Sequence, residues 1–187
     1  MSLPTDRAQE DLRYVRRAVA RGAEGAFPLP IASLWAAIAL VGFALVDFVP
    51  ELAGLFWLVA GPGGFLASVW LGSRLARREG EQDRAEAWRW AAHWGGLLAA
   101  IALSTLAVRA GAATWSGFGA TLLLLLAVAY LTAGIHLHRS LLPVAAILAA
   151  GYPAVLFLDR YAWSVVGVAV AAAMLAGALG ARGRGVA

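Results

Sequence analysis

Three histidines and two glycine-proline interruptions are the features of this sequence whose residue types suit chemistry. His93 lies one turn inside a charge-free stretch that starts at Trp90, and His136 and His138 close another that ends before Arg139. Imidazole nitrogens bind metals and titrate near neutrality. His93, His136 and His138 are therefore the candidate ligands for zinc or another divalent cation, or the parts of a pH sensor. Residues two apart on a helix point about 200° away from each other, so His136 and His138 reach one ion only where the helix has unwound. The alternative reading makes them interfacial polar residues and has His93 hydrogen-bond a neighbouring helix.

Around His93 the run Trp88-Arg89-Trp90-Ala91-Ala92-His93-Trp94 places Trp90, His93 and Trp94 on one helical face by the three-and-four spacing. Such a face suits an aromatic wall lining a ligand path or an anchor in the headgroup region. The interruptions are Gly61-Pro62-Gly63-Gly64 and Gly151-Tyr152-Pro153. Each falls in the middle helix of one half of the chain, the pattern in which unwound backbone of a transporter meets its solute. A local break at Gly61 to Gly64 is expected. Gly61, Pro62, Gly63, Gly64, Gly151 and Pro153, together with Trp90, His93 and Trp94, are the candidate substrate-binding residues.

Other chemistries are excluded. The chain has no Cys, so thiolate nucleophiles, disulfides and Cys-ligated metals are ruled out. It holds no phosphate-binding glycine loop and no His-Glu-x-x-His. No Asp, Glu or Arg lies well inside a charge-free stretch, which argues against a charge-coupled pump. No cofactor is expected beyond the metal alternative.

The elements that must position these residues are six stretches without Asp, Glu, Arg or Lys: 25–46, 52–73, 90–108, 110–138, 140–158 and 161–181. A helix rises about 1.5 Å per residue and the hydrocarbon layer is about 30 Å thick, so each stretch is long enough to cross it. With 61% hydrophobic and only 14% charged residues among 187, nearly all of the chain is committed to those spans. The fold class expected is all-α: a polytopic integral membrane protein of six transmembrane helices. Residues 25–181 form one transmembrane domain, preceded by an interfacial segment 1–24 and followed by a tail 182–187. Leu12, Val15, Ala18 and Val19 oppose Arg13, Arg16, Arg17 and Arg21, which makes an amphipathic helix of the N-terminal segment.

Arg sorts by side. With the N-terminus inside, Arg7, Arg13, Arg16, Arg17, Arg21, Arg74, Arg77, Arg78, Arg84, Arg89, Arg139, Arg182 and Arg184 are cytoplasmic, and of the fifteen only Arg109 and Arg160 lie outside. That asymmetry predicts both termini in the cytoplasm of a bacterial inner membrane. The joins at 47–51, 109–113 and 159–160 are short, which predicts three tight hairpins, with Arg74 to Arg89 a solvated, partly helical linker. The net charge of +4 sits at span edges, so the expected partners are membrane lipids, including anionic headgroups, and not nucleic acid.

Three spans carry a Trp near the expected outer end, at Trp57, Trp115 and Trp163, as aromatic belts do. Small residues such as Gly95, Gly96, Ala99, Ala100 and Ser104 favour close helix contact, within the chain or in a homodimer. Three functions follow as expectations. The first is a small transporter or channel for a neutral, weakly polar or cationic solute, with the broken second helix on its path. The others are a membrane-embedded metal-dependent enzyme acting on a lipid-like substrate, and a non-catalytic scaffold or regulatory subunit.

Overall fold

The protein is described here from a computed structural model, covering residues 27–79, 84–158 and 160–184. The regular elements among these residues are helices: α1 Leu29–Phe48, α2 Pro50–Glu79, α3 Arg84–Arg109, α4 Trp115–His136, a 3-10 turn Arg139–Leu141, α5 Leu142–Phe157 and α6 Ala162–Arg184. Six spans are long and apolar enough to cross a membrane. The fifth reaches 19 residues only by including the 3-10 turn, because α5 alone has 16. The amphipathic segment expected over 1–24 lies outside the described residues.

Local chemistry sets the helix ends. Pro28 precedes α1 and Pro30 sits in its first turn, where a missing amide hydrogen costs nothing. Beyond α3, Gly111 adopts a positive φ of 76°, and the Ala112 amide returns to the Ala107 carbonyl at 2.9 Å while the Gly111 amide bonds Val108. This is a Schellman stop, which only a residue tolerant of left-handed backbone makes cheaply. Thr114 then caps α4, its Oγ1 accepting from the Gly117 amide at 3.2 Å. The linker expected from Arg74 to Arg89 is mostly helix, since α2 continues to Glu79 and α3 starts at Arg84.

Four helices make the core. Ala36, Ala39 and Phe43 of α1 meet Leu123, Ala127, Tyr130 and Ala133 of α4, Val144 and Leu148 of α5, and Val166, Val170 and Met174 of α6. The most extensive interface joins α1 to α6, followed by α4 with α5, whereas α2 packs chiefly on α1 and α3 chiefly on α4. From edge to edge the helices run α2, α1, α6, α5, α4, α3, and α2 barely touches α3. The two flanking helices are correspondingly bare. In the most apolar stretch of α3 no residue is buried, against 39% in α4 and in α6.

The expected break in the second helix is absent. α2 is continuous helix from Pro50 to Glu79, with Pro62 inside it. Pro62 and Gly63 are exposed, and Gly64 is buried against α1. A Cβ on Gly64 would stand 2.7 Å from Ile38 Cδ1 and 3.3 Å from the Trp35 ring. The glycine is there so that α1 side chains can lie against α2. One turn on, Trp35 Nε1 donates to Ser68 Oγ at 2.8 Å, and that hydroxyl donates to the Gly64 carbonyl at 2.8 Å. The second interruption has the same explanation. α5 is continuous through Gly151 and Pro153, and a Cβ on the buried Gly151 would meet Val166 Cγ2 at 2.7 Å. Close helix approach, not an unwound ligand site, accounts for Gly64 and Gly151.

Candidate functional site

The residues with chemical potential gather at two ends of the bundle. At the end holding the start of α3, Trp90, His93 and Trp94 project from one face, as their spacing predicts. Trp90 packs on Phe27, with centroids 6.0 Å apart, and on His138 at 5.4 Å. Trp94 meets the edge of Tyr130 on α4 at 5.1 Å, and His93 stands edge-on to Trp94 at 5.0 Å. The outcome is a continuous aromatic seam tying the start of α1, α3 and α4 together. It includes Phe27 and Tyr130, which the sequence reading did not single out. Tyr130 carried no signal apart from the apolar run around it, and Phe27 had only its place before Pro28.

His93 Nε2 lies 3.0 Å from the Ala129 carbonyl oxygen. A carbonyl can only accept, so this bond requires the proton on Nε2. That proton serves to dock α3 on α4, and the nitrogen is not offered to a metal. His136, the last residue of α4, is exposed, while His138 lies past the helix end in extended backbone and turns to Trp90. The three histidines therefore do not converge. Among the described residues no group of three His, Asp or Glu is placed to hold a metal ion. Gly61, Pro62, Gly63, Gly64, Gly151 and Pro153 contribute nothing to this seam.

The role of His93 has a measurable consequence. Interhelical polar contacts in membranes are worth about 0.6–2 kcal/mol. His93→Ala is expected to lower the unfolding temperature in detergent by a corresponding amount, and His136→Ala to leave it unchanged. Equal effects would contradict the assignment of the bond to His93.

At the opposite end Asp47, the penultimate residue of α1, reaches across to α6. Its Oδ2 accepts from the Ser164 amide at 2.7 Å and from Ser164 Oγ at 2.6 Å. Tyr161, just before α6, has a φ of 57°. The first amides of a helix lack internal partners, and here the carboxylate that caps one of them comes from another helix. In the sequence Asp47 only opens the short join at 47–51 between the first two charge-free stretches. Its connection to a residue 117 positions away had no local signal.

Between α1 and α2 runs an apolar groove of about 350 Å³ lined by Leu45, Leu52, Leu55, Phe56, Val59 and Ala60. It does not include the Gly61 to Gly64 segment. Compared with known proteins, the chain matches no family model, no curated protein and no solved structure.

Proposed function

We propose that this protein is a non-catalytic membrane subunit that docks another membrane protein on the lipid-facing side of α3. One observation carries the reading: between the exposed Trp88 and Leu103, the outward side of α3 is a stripe of small residues. Ala92, Gly96 and Ala99 are exposed, and a Cβ built on Gly95 or Gly96 would meet nothing within 4 Å. A face that meets only acyl chains gains nothing from missing side chains. A face that receives another helix does, because small residues let two backbones approach. The continuity of α2 through Gly61 to Gly64 withdraws the main support for a solute path there.

The membrane frame of this proposal is the one the arginines favour: both termini cytoplasmic, three hairpins and the cell inner membrane. A metal-dependent reaction at His93 would have to use Nδ1, because Nε2 is committed to the Ala129 carbonyl.

The absence of Cys makes the test direct. Gly96→Cys, oxidised or treated with a thiol crosslinker in native membranes, is expected to give one discrete product heavier than the 19.5 kDa chain, containing a second, different membrane protein. A product of twice 19.5 kDa, about 39 kDa, would assign the face to a homodimer and overturn docking of a different partner. No product from Gly96→Cys, together with solute flux through vesicles containing the purified chain, would return the transporter or channel to first place.

A further inference from the structure

We propose that Trp70, Ser73, Arg74 and Arg77 on α2 form a binding site for the phosphate of one anionic phospholipid headgroup. The inference rests on the reading that α2 crosses a bilayer, and is independent of the docking face on α3. The four residues are spaced to share one helical face, and all four are exposed. The other side of α2, at Gly64 and Ser68, packs against Trp35 and Ile38 of α1. The stripe therefore points away from the bundle. The apolar span of α2 ends at Arg77, which puts both guanidinium groups where hydrocarbon gives way to headgroups. Trp70, about 10 Å deeper by helical rise, is at the depth where indole rings settle.

The side chains are held in a usable arrangement. The Arg74 guanidinium carbon lies 5.4 Å from the Trp70 ring centroid, a cation-π contact that fixes its direction. Ser73 Oγ donates to the Trp70 carbonyl at 2.9 Å and accepts from Arg77 Nη2 at 3.5 Å, which turns the second guanidinium back along the same face. Two planar forks about one helical turn apart match the several acceptor oxygens of a phosphate, and the Ser73 hydroxyl, whose proton goes to the Trp70 carbonyl, serves to orient Arg77. Trp70 offers its ring to the glycerol and upper acyl chain of the same lipid. The choice of lipid follows from charge. A zwitterionic headgroup carries its own cation, which these two arginines repel, whereas phosphatidylglycerol brings a net negative charge and no cation.

The full-length protein, purified in detergent, is titrated with phosphatidylglycerol and separately with phosphatidylcholine, and bound lipids are counted by native mass spectrometry. One phosphatidylglycerol is expected to be retained, with phosphatidylcholine retained more weakly. A basic side chain near a membrane surface contributes about 1 kcal/mol, so R74Q/R77Q is expected to weaken phosphatidylglycerol binding roughly 10–30-fold. R74K/R77K, which keeps the charge and loses the forks, is expected to recover only part of that loss. All four positions are exposed, so the unfolding temperature of both variants should match wild type and separate a binding loss from a folding loss. Equal retention of the two lipids, or unchanged phosphatidylglycerol binding by R74Q/R77Q, overturns the site. Competition by inorganic phosphate as effective as that of the lipid overturns the lipid as its occupant. Crosslinking from Gly96 is unaffected by any of these results, so the two proposals fail separately.

Discussion

Gly167→Val is expected to force α1 away from α6 and to cost about 1–3 kcal/mol of folded stability, or more, because a branched side chain has nowhere to go. A Cβ at this position would stand 2.8 Å from the Cβ of Phe43, 3.2 Å from its Cδ2 and 3.2 Å from the Ala39 carbonyl oxygen. Two of those neighbours, a Cβ and a backbone oxygen, move only if α1 moves. Nor can Phe43 yield by rotation, since its ring is flanked by Trp57 at 5.5 Å and Trp163 at 5.9 Å. The control is Gly63→Val, where a Cβ would meet nothing within 4 Å. Thermal unfolding in detergent, followed by near-ultraviolet circular dichroism, should show a large fall in midpoint for Gly167→Val and little change for Gly63→Val. Equal midpoints would mean that α1 and α6 do not approach as closely as described.

Asp47→Ala should have the second largest effect. It removes both bonds to Ser164 and leaves the α6 amide without its acceptor, close to the entry where Tyr161 holds a left-handed backbone. Hydrogen bonds to a charged group contribute about 1.5–3 kcal/mol, and the loss of a helix cap costs about 0.5–2 kcal/mol. Partial exposure of Asp47 puts the expected total near the lower end, about 2 kcal/mol. The order of the variants tests the assignment. Asp47→Asn keeps an acceptor oxygen and should lose less, and Ser164→Ala keeps the amide bond and should also lose less than Asp47→Ala. If Ser164→Ala proved as damaging as Asp47→Ala, the cap on the α6 amide would not be the main contribution.

The spans were legible because hydrocarbon imposes a rule without local exceptions: a helix must be about 20 residues long and free of charge to cross. Arg74, Arg109 and Arg139 mark the span edges for that reason. Glycine and proline were misleading because they answer two different needs. Gly-Pro-Gly-Gly reads equally as an unwound segment and as a place where another helix lies close, and the choice depends on Trp35 and Ile38, which belong to α1. The histidines show the same limit. Helical spacing sets His136 against His138 only if the helix runs through both, but α4 ends at His136 and the chain then turns toward Trp90, so what His138 meets depends on that turn. The Ala129 carbonyl has no side-chain signature at all, so the partner of His93 could be seen only in three dimensions. Asp47 with Ser164, and Phe43 with Gly167, are likewise pairs that local sequence patterns do not connect.

The pairing of α1 with α6 also governs the order in which the molecule can mature. The chain is made from its N-terminal side, so the first helix enters the bilayer well before the segment that will cover Ala39 and Phe43 has been synthesised. Until then that surface must be sheltered by lipid, by the insertion machinery or by α2 alone. Closure is thus a late, long-range event, with a search over more than a hundred residues of intervening chain, and an interrupted translation product would display an uncovered seam for quality-control proteases to find.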